Sequence, residues 1–336
     1  MKAGTDKNMF FILGRERSGT TLLRLLINTN ANCYVPLESP FILALRKRYA
    51  AQSDISPKQL IQDLKTDPYF HPWKLDWEHQ LKRLEKLPIK SYQSLCKAIL
   101  NHQEMEITHL GDKNPVYCIL VKQLTTLFPE AKFIWLIRDY RAHINSMLKV
   151  NFERKNIASL AVRWKKYNRS VEKLKERFPN QVLLVRYEDL VVSPEQKMKD
   201  IKQFLTVSGD FSLESLNKKM SEDNQLEIHH KSLKKRVSTD HVEEWKTGLN
   251  KKQIAISEYI CNDFADKYGY TSLGTSISLT TKMAIFPSRL FGGIYIPFQR
   301  LLFAMPFVLK KVITEKIIQP NFKFWKESKE QYLNNE

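Results

Sequence analysis

The run Gly14-Arg15-Glu16-Arg17-Ser18-Gly19-Thr20-Thr21 links an apolar stretch, Met9–Leu13, to a segment in which Leu22, Leu23, Leu26 and Ile27 recur at helical spacing. A loop between a strand and a helix gathers backbone N–H groups at one point, and that point favours an anion such as a phosphate. Aligned on the nucleotide-binding pattern GxxxxGK[ST], the loop has Thr20 in place of the lysine, and Arg17 puts a cation inside the loop instead. A nucleoside triphosphatase needs that lysine for the terminal phosphates, so Thr20 argues against one. Taken alone, the loop could also be an ordinary glycine turn with a solvated arginine. A second candidate closes the apolar run Phe133–Ile137: Arg138, followed by Asp139 and, eight residues on, by Ser146. A guanidinium fork and a hydroxyl can grip a phosphate, whereas a salt bridge to Asp139 would make Arg138 structural. Glu188 and Asp189 end another strand and read as partners of helix N-termini or basic loops, and His229-His230 reads as solvated loop.

These side chains need a scaffold, and the hydrophobic pattern supplies one. Strands are expected at Met9–Leu13, Ile107–Leu110, Lys132–Ile137 and Val182–Val185. Helices are expected at Thr20–Asn28, Val116–Phe128, 140–150, 156–177 and 194–206. Alternation of strands and helices implies an α/β fold with a P-loop-type parallel sheet flanked by helices. Residues 40–105 are polar, Lys-rich and broken by Pro57, Pro68, Pro72 and Pro88, and read as a mostly helical insertion shaping an acceptor pocket or lid. Residues 1–272 form the main domain on this reading, and 273–336 form a basic, hydrophobic C-terminal helical tail.

The chain has 336 residues, 43% of them hydrophobic, enough for a substantial core, and a net charge of +18, which favours anionic ligands or surfaces. Cys33, Cys96, Cys118 and Cys261 lie far apart with no metal-ligand or disulfide spacing, so reduced buried thiols and no metal are expected. The N-terminal sequence lacks the apolar region of a secretory signal, so a cytoplasmic location is expected. No aromatic–basic motif for nucleic acid is present, so no nucleic-acid partner is expected.

The loop, with its basic residue followed by Ser-Gly-Thr-Thr, resembles the 5'-phosphosulfate loop of sulfotransferases that use PAPS (3'-phosphoadenosine 5'-phosphosulfate). The block from Phe133 through Arg138 to Ser146 resembles that family's 3'-phosphate site. The details are similar to the tyrosylprotein-sulfotransferase-like branch and its bacterial relatives. Glu38 stands 21 residues after Arg17, where the branch has its proposed general base. Gly111-Asp112-Lys113-Asn114-Pro115 resembles a segment whose lysine stabilises the transferring group, and Tyr187 follows a strand that borders the nucleotide. Arg236-Val237-Ser238-Thr239-Asp240 resembles a C-terminal Arg-Ser-Thr-Asp segment with one inserted residue, and Trp245-Lys246 resembles a terminal nucleotide contact. The likeness spans roughly residues 9–270.

The resemblance implies a metal-independent transfer of a sulfuryl group from PAPS to a hydroxyl, with PAP as the other product. Glu38 would be the base, Arg17, Lys113 and Ser238 would stabilise the transferring group, and His109 is the second candidate for the base. The cofactor would be held by Arg15, Arg17, Ser18, Gly19, Thr20, Thr21, Arg138, Ser146, Tyr187, Arg236 and Lys246. The expected acceptor is a small or lipid-like, sterol-like alcohol, and protein tyrosine is disfavoured because that chemistry belongs to a secretory lumen. Met283–Leu309 is apolar but interrupted by Arg289 and Arg300 and by three prolines, which suits either a peripheral membrane contact on the inner face or a helical hairpin packed on the domain. The alternatives are a P-loop nucleotide kinase or NTPase, and a non-catalytic, membrane-associated nucleotide-binding protein of the same fold.

Overall fold

The computed structural model describes residues 7–52, 54–150, 152–216 and 238–313. Among these, five strands form one parallel sheet: β1 (Asn8–Leu13), β2 (Cys33–Tyr34), β3 (His109–Lys113), β4 (Lys132–Ile137) and β5 (Val182–Arg186), in the order β2-β3-β1-β4-β5. The register sets Ile12 beside Lys113, Leu13 beside Trp135 and Ile137 beside Arg186. Every strand therefore ends at the same edge, and Gly14, Lys113, Arg138 and Tyr187 are delivered there together. In open α/β sheets that edge is where ligands bind.

Side chains of a strand alternate between faces, and here both faces are buried. Phe11, Leu13, Phe133, Trp135 and Ile137 enter one core, while Phe10, Ile12, Ile134 and Leu136 enter the other. Complete burial of one such side chain contributes roughly 1.5–3 kcal/mol. The second core holds the apolar side chains of α1 (Thr20–Ile27), and the first packs under α2 (Tyr140–Leu148) and α3 (Ile157–Arg177). A short helix, α4 (Tyr187–Val192), follows β5 directly. The last long helix, α5 (Leu279–Ala304), lies along α3, where the missing side chain of Gly292 lets it approach Ser159.

The α/β fold, β4 and the helices at Thr20, 140 and 157 match the sequence reading. Three details differ. β3 runs two to three residues later than Ile107–Leu110 and includes Gly111, where a Cβ would meet Phe10 and Val35, so close strand packing rather than an apolar run defines it. The expected helix Val116–Phe128 is two pieces, a 3-10 turn at Pro115–Ile119 and a helix at Val121–Leu127, separated by the non-helical backbone of Leu120. β2 has only two residues, too few for any periodic signal. The 40–105 stretch is helical in most of its length, and all four cysteines are buried and unpaired.

Candidate active site

The loop after β1 depends on two glycines. Gly14 passes so close to Thr20 and to the Leu136 carbonyl that a Cβ would lie 2.6 and 2.9 Å from them. Gly19 has φ of 92°, and a Cβ there would meet the Tyr187 ring at 2.4 Å. Between them Arg17 also adopts positive φ, 66°, a conformation that costs a non-glycine residue free energy and that gathers at functional sites. Ser18 N–H donates to Arg15 O at 3.1 Å and closes the turn. The helix that follows has no side-chain cap and no acidic residue in its first turn, and Ser18, Thr20 and Thr21 are buried at its start. Such an N-terminus presents backbone donors and a positive dipole end to an anion.

The two sequence blocks meet here. Arg17 Nε donates to Ser146 Oγ at 3.0 Å, and Arg138 Nη1 donates to the Arg17 carbonyl at 2.9 Å. Arg138 is held further by Nη2, which donates to His241 O at 2.6 Å, and its guanidinium lies 4.4 Å over the Tyr187 ring, the ring that also covers Gly19. Its Nε is buried and has no partner among the described residues. The salt bridge to Asp139 does not form, because Asp139 accepts from Arg141 Nη2 at 2.7 Å and from the Arg141 backbone N–H at the start of α2. Burial, with Arg138 beside it, holds the Arg17 pKa below the usual arginine range. Two guanidinium groups packed side by side repel, and an anion between them would offset that repulsion. This fits a bound phosphate.

The second part of the site is an ion pair. Lys113 ends β3 fully buried, and its ammonium contacts the Glu38 carboxylate and, at 3.4 Å, Thr21 Oγ1. Burial, and then Arg24 nearby, push the Lys113 pKa well below that of an ordinary lysine, while Glu16 acts the other way. The contacting carboxylate of Glu38 opposes that shift, because an adjacent opposite charge favours the ammonium. Glu38 is about a quarter exposed, so it faces both the loop and the space outside it. A carboxylate, an ammonium and a phosphate loop thus stand at one end of the sheet.

Other expected site residues are placed differently. His109 occupies the opposite end of β3, beside Asn8 in the register. Its Nδ1 and Nε2 are engaged by Thr108 Oγ1 at 2.9 Å and Leu205 O at 3.0 Å, so it cannot serve as the base. The Arg15 side chain turns away from the loop and is buried against Leu160 O at 2.9 Å and Glu153 at 3.3 Å, so only its backbone remains for a phosphate. Ser238 uses its Oγ locally, accepting the Asp240 N–H at 3.0 Å at the start of a short helix. Lys246 is exposed and paired with Glu243 at 2.5 Å, while the neighbouring Trp245 is buried under Arg141. Among the described residues no hydrogen bond or ion pair joins Ser238 or Lys246 to the Lys113–Glu38 pair. Arg236 and His229-His230 lie outside the described residues. Glu188 has the structural role expected of it, accepting Asp139 N–H at 2.9 Å and Tyr270 O–H at 2.8 Å.

Sequence reasoning missed Arg24, Asp112 and Tyr117. Arg24 is fully buried on α1, and burial lowers its pKa to about 10. A lone arginine inside Thr-Thr-Leu-Leu-Arg-Leu-Leu-Ile was a signal for it. Asp112 is also fully buried, and burial raises its pKa to about 7 although Tyr117 O–H donates to it at 2.6 Å. Tyr117 reaches the Ser39 carbonyl at 3.4 Å as well, so this pair braces both Lys113 and the residue after Glu38. Among the described residues no group of His, Cys, Asp or Glu is arranged to hold a metal.

Comparison with known proteins follows this geometry. The profile described as the sulfotransferase family matches residues 10–210. Protein-tyrosine sulfotransferase 1 of Danio rerio is 29% identical over 210 residues, 60% of this chain and 54% of that protein. The protein-tyrosine sulfotransferase of Drosophila melanogaster is 26% identical over 214 residues, covering 59% and 38%. The chain spans about half the length of the curated relatives it matches. Among solved structures, the sulfotransferase domain of the Synechococcus olefin synthase superposes with a TM-score of 0.55 at 24% identity, over 76% of this chain and 95% of that one. The sulfotransferase domain from the curacin biosynthetic pathway gives 0.53 at 20% identity, over 79% and 99%. At these identities the two structures speak for the fold.

Proposed function

The chain belongs to the sulfotransferase family, and on that premise we propose that it moves a sulfuryl group from PAPS to a hydroxyl acceptor. The observation that carries this reading is the convergence on one phosphate loop of Arg17, Arg138 and Ser146 with the Lys113–Glu38 pair. When bound, PAPS would supply the sulfuryl group and leave as PAP. The loop N–H groups and the N-terminus of α1 suit its 5' end, and the Arg138 fork with Ser146 suits its 3'-phosphate, which ATP lacks. Glu38 takes the proton of the acceptor hydroxyl as its oxygen bonds to sulfur and the sulfur–phosphate oxygen bond breaks. Lys113, held charged by Glu38 until that transfer, neutralises charge accumulating on the departing oxygens. Positioning and fixed charge would then account for most of the rate, as in loose phosphoryl transfer.

For the acceptor we propose a small or lipid-like alcohol, supported by the apolar helix α5, which is linked to the loop residue Arg15 through Arg163 and Glu153: Tyr295 lies under Arg163, and Glu153 joins Arg163 to Arg15. A cytoplasmic setting is part of this reading, supported by four unpaired buried thiols. The names of the curated relatives favour a second acceptor, a peptide tyrosine. A PAPS assay with mass readout over sterols, lipid alcohols, phenols, sugars and tyrosyl peptides separates the two. Sulfation of tyrosyl peptides alone would replace the alcohol reading. No sulfated product from any of them, together with stabilisation by ATP rather than PAP, would overturn sulfuryl transfer itself.

A further inference from the structure

Eleven of the fourteen exposed large apolar side chains among the described residues lie between Leu279 and Val312. They do not scatter. Met283, Phe286, Leu290, Ile294, Phe298 and Leu301 follow one another at spacings of three and four along α5. At ~100° per residue this is a single stripe along one side of the helix. The opposite side, with Gly292, Ile296 and Leu302, is the one buried on the protein. A soluble surface rarely leaves so long an apolar stripe uncovered, so it marks an interaction site.

Charge identifies the partner. From Lys267 to Thr314 the sequence has no acidic residue, while it has Lys267, Lys282, Arg289, Arg300, Lys310 and Lys311. Lys282, Arg289 and Arg300 fall within about 20° of each other around the helix, on one flank of the apolar stripe. On the other flank exposed Arg154 stacks 4.6 Å from the Phe291 ring. An apolar stripe flanked by cations on both sides, on a segment that itself carries no carboxylate, matches the interface of an anionic bilayer. The segment does not cross one, since no helix among the described residues is long and apolar enough to span a membrane.

We propose that α5 docks the protein flat on an anionic phospholipid surface through this stripe, with the flanking cations among the headgroups. The inference is independent of the sulfuryl-transfer reading. The test is co-sedimentation of the full chain with vesicles, without nucleotide. Vesicles of about one-third phosphatidylglycerol in phosphatidylcholine should bind the protein at least tenfold better than phosphatidylcholine alone, and binding should weaken steeply with salt. The double substitution Phe286→Glu with Leu290→Glu, at positions 60% and 53% exposed, should lower binding at least tenfold. Lys282→Gln should lower it about fivefold, the share of one surface cation. Calorimetric PAP binding by the same variants checks folding and the nucleotide site separately. Equal binding to both vesicle types, or an unchanged double variant, would overturn the proposal. So would a wild-type dimer in sedimentation velocity that the double variant abolishes, because a second copy would then cover the stripe.

Discussion

Replacing Arg138 by alanine should separate two contributions that the structure assigns to one side chain. Its Nη1 and Nη2 donate to the carbonyls of Arg17 and His241 at 2.9 and 2.6 Å, so its loss loosens the loop for any nucleotide. If about 1 kcal/mol of that support is expressed in binding, affinity falls about fivefold for PAP and 5'-AMP alike. The buried, unpartnered Nε and the fork around it are what a 3'-phosphate would engage. Losing a charged hydrogen-bonded contact costs on the order of 2–3 kcal/mol, and only PAP has the phosphate to lose it. Calorimetry should therefore show PAP weakened about 30- to 160-fold more than 5'-AMP, whose structure differs by that phosphate alone. Arg138→Lys should recover only part of the gap, because an ammonium keeps the charge and loses the fork. Equal losses for both nucleotides would refute the assignment and leave Arg138 as loop support.

Glu38→Gln should lower kcat by about 10²–10⁴-fold with little change in PAP affinity, whereas His109→Gln should leave kcat nearly unchanged. The ion pair adds a sharper expectation: Glu38→Gln combined with Lys113→Met should be little worse than the poorer single variant, and multiplied losses in kcat would mean that the two act separately. Turnover should persist in EDTA, since Arg17, Arg138 and Lys113 supply the positive charge, and loss on chelation restored by magnesium would contradict this. Asp112, at about 7 in the fold against 3.8 in its ordinary state, binds its proton more tightly folded than unfolded. Its contribution to stability is thus present below pH ~4 and lost as pH rises to ~7, by on the order of 4 kcal/mol. Urea unfolding of Asp112→Asn should gain on wild type between pH 5 and 8, and parallel pH profiles would refute the buried-carboxyl account.

The phosphate-type loop and Arg138 were legible as local units of sequence. A phosphate loop is one strand, two glycines and one helix start, all within Met9–Ile27, and β4 with Arg138 is another contiguous unit. What sequence could not give was the direction of a side chain. Arg15 and Arg17 are two residues apart in the same loop, yet one turns under α3 to Glu153 and the other reaches Ser146. His109 and Lys113 share one short strand, and the parallel register alone sends the lysine to the site and the histidine to the far end. Lys246 is exposed and pairs locally with Glu243, three residues away.

The surroundings of Glu38 are opaque to sequence because their order comes from contacts between distant residues. Beyond Glu38 the chain enters the helices of 40–105, and these are tied back by a chain of rings. Phe41 meets Phe70 at 5.6 Å, Phe70 meets Trp73 at 4.8 Å, Trp73 meets His102 at 4.9 Å, and His102 meets Tyr34 at 6.0 Å. Burial lowers the His102 pKa to about 4, so it takes part as a neutral ring. Tyr34 and Phe41 bracket Glu38 in sequence, which means that packing spread over some seventy residues fixes the carboxylate that the loop resemblance located by spacing alone. Aromatic packing of this kind tolerates exchange among large apolar residues. It therefore leaves no fixed motif, even though it sets how far Glu38 stands from the loop.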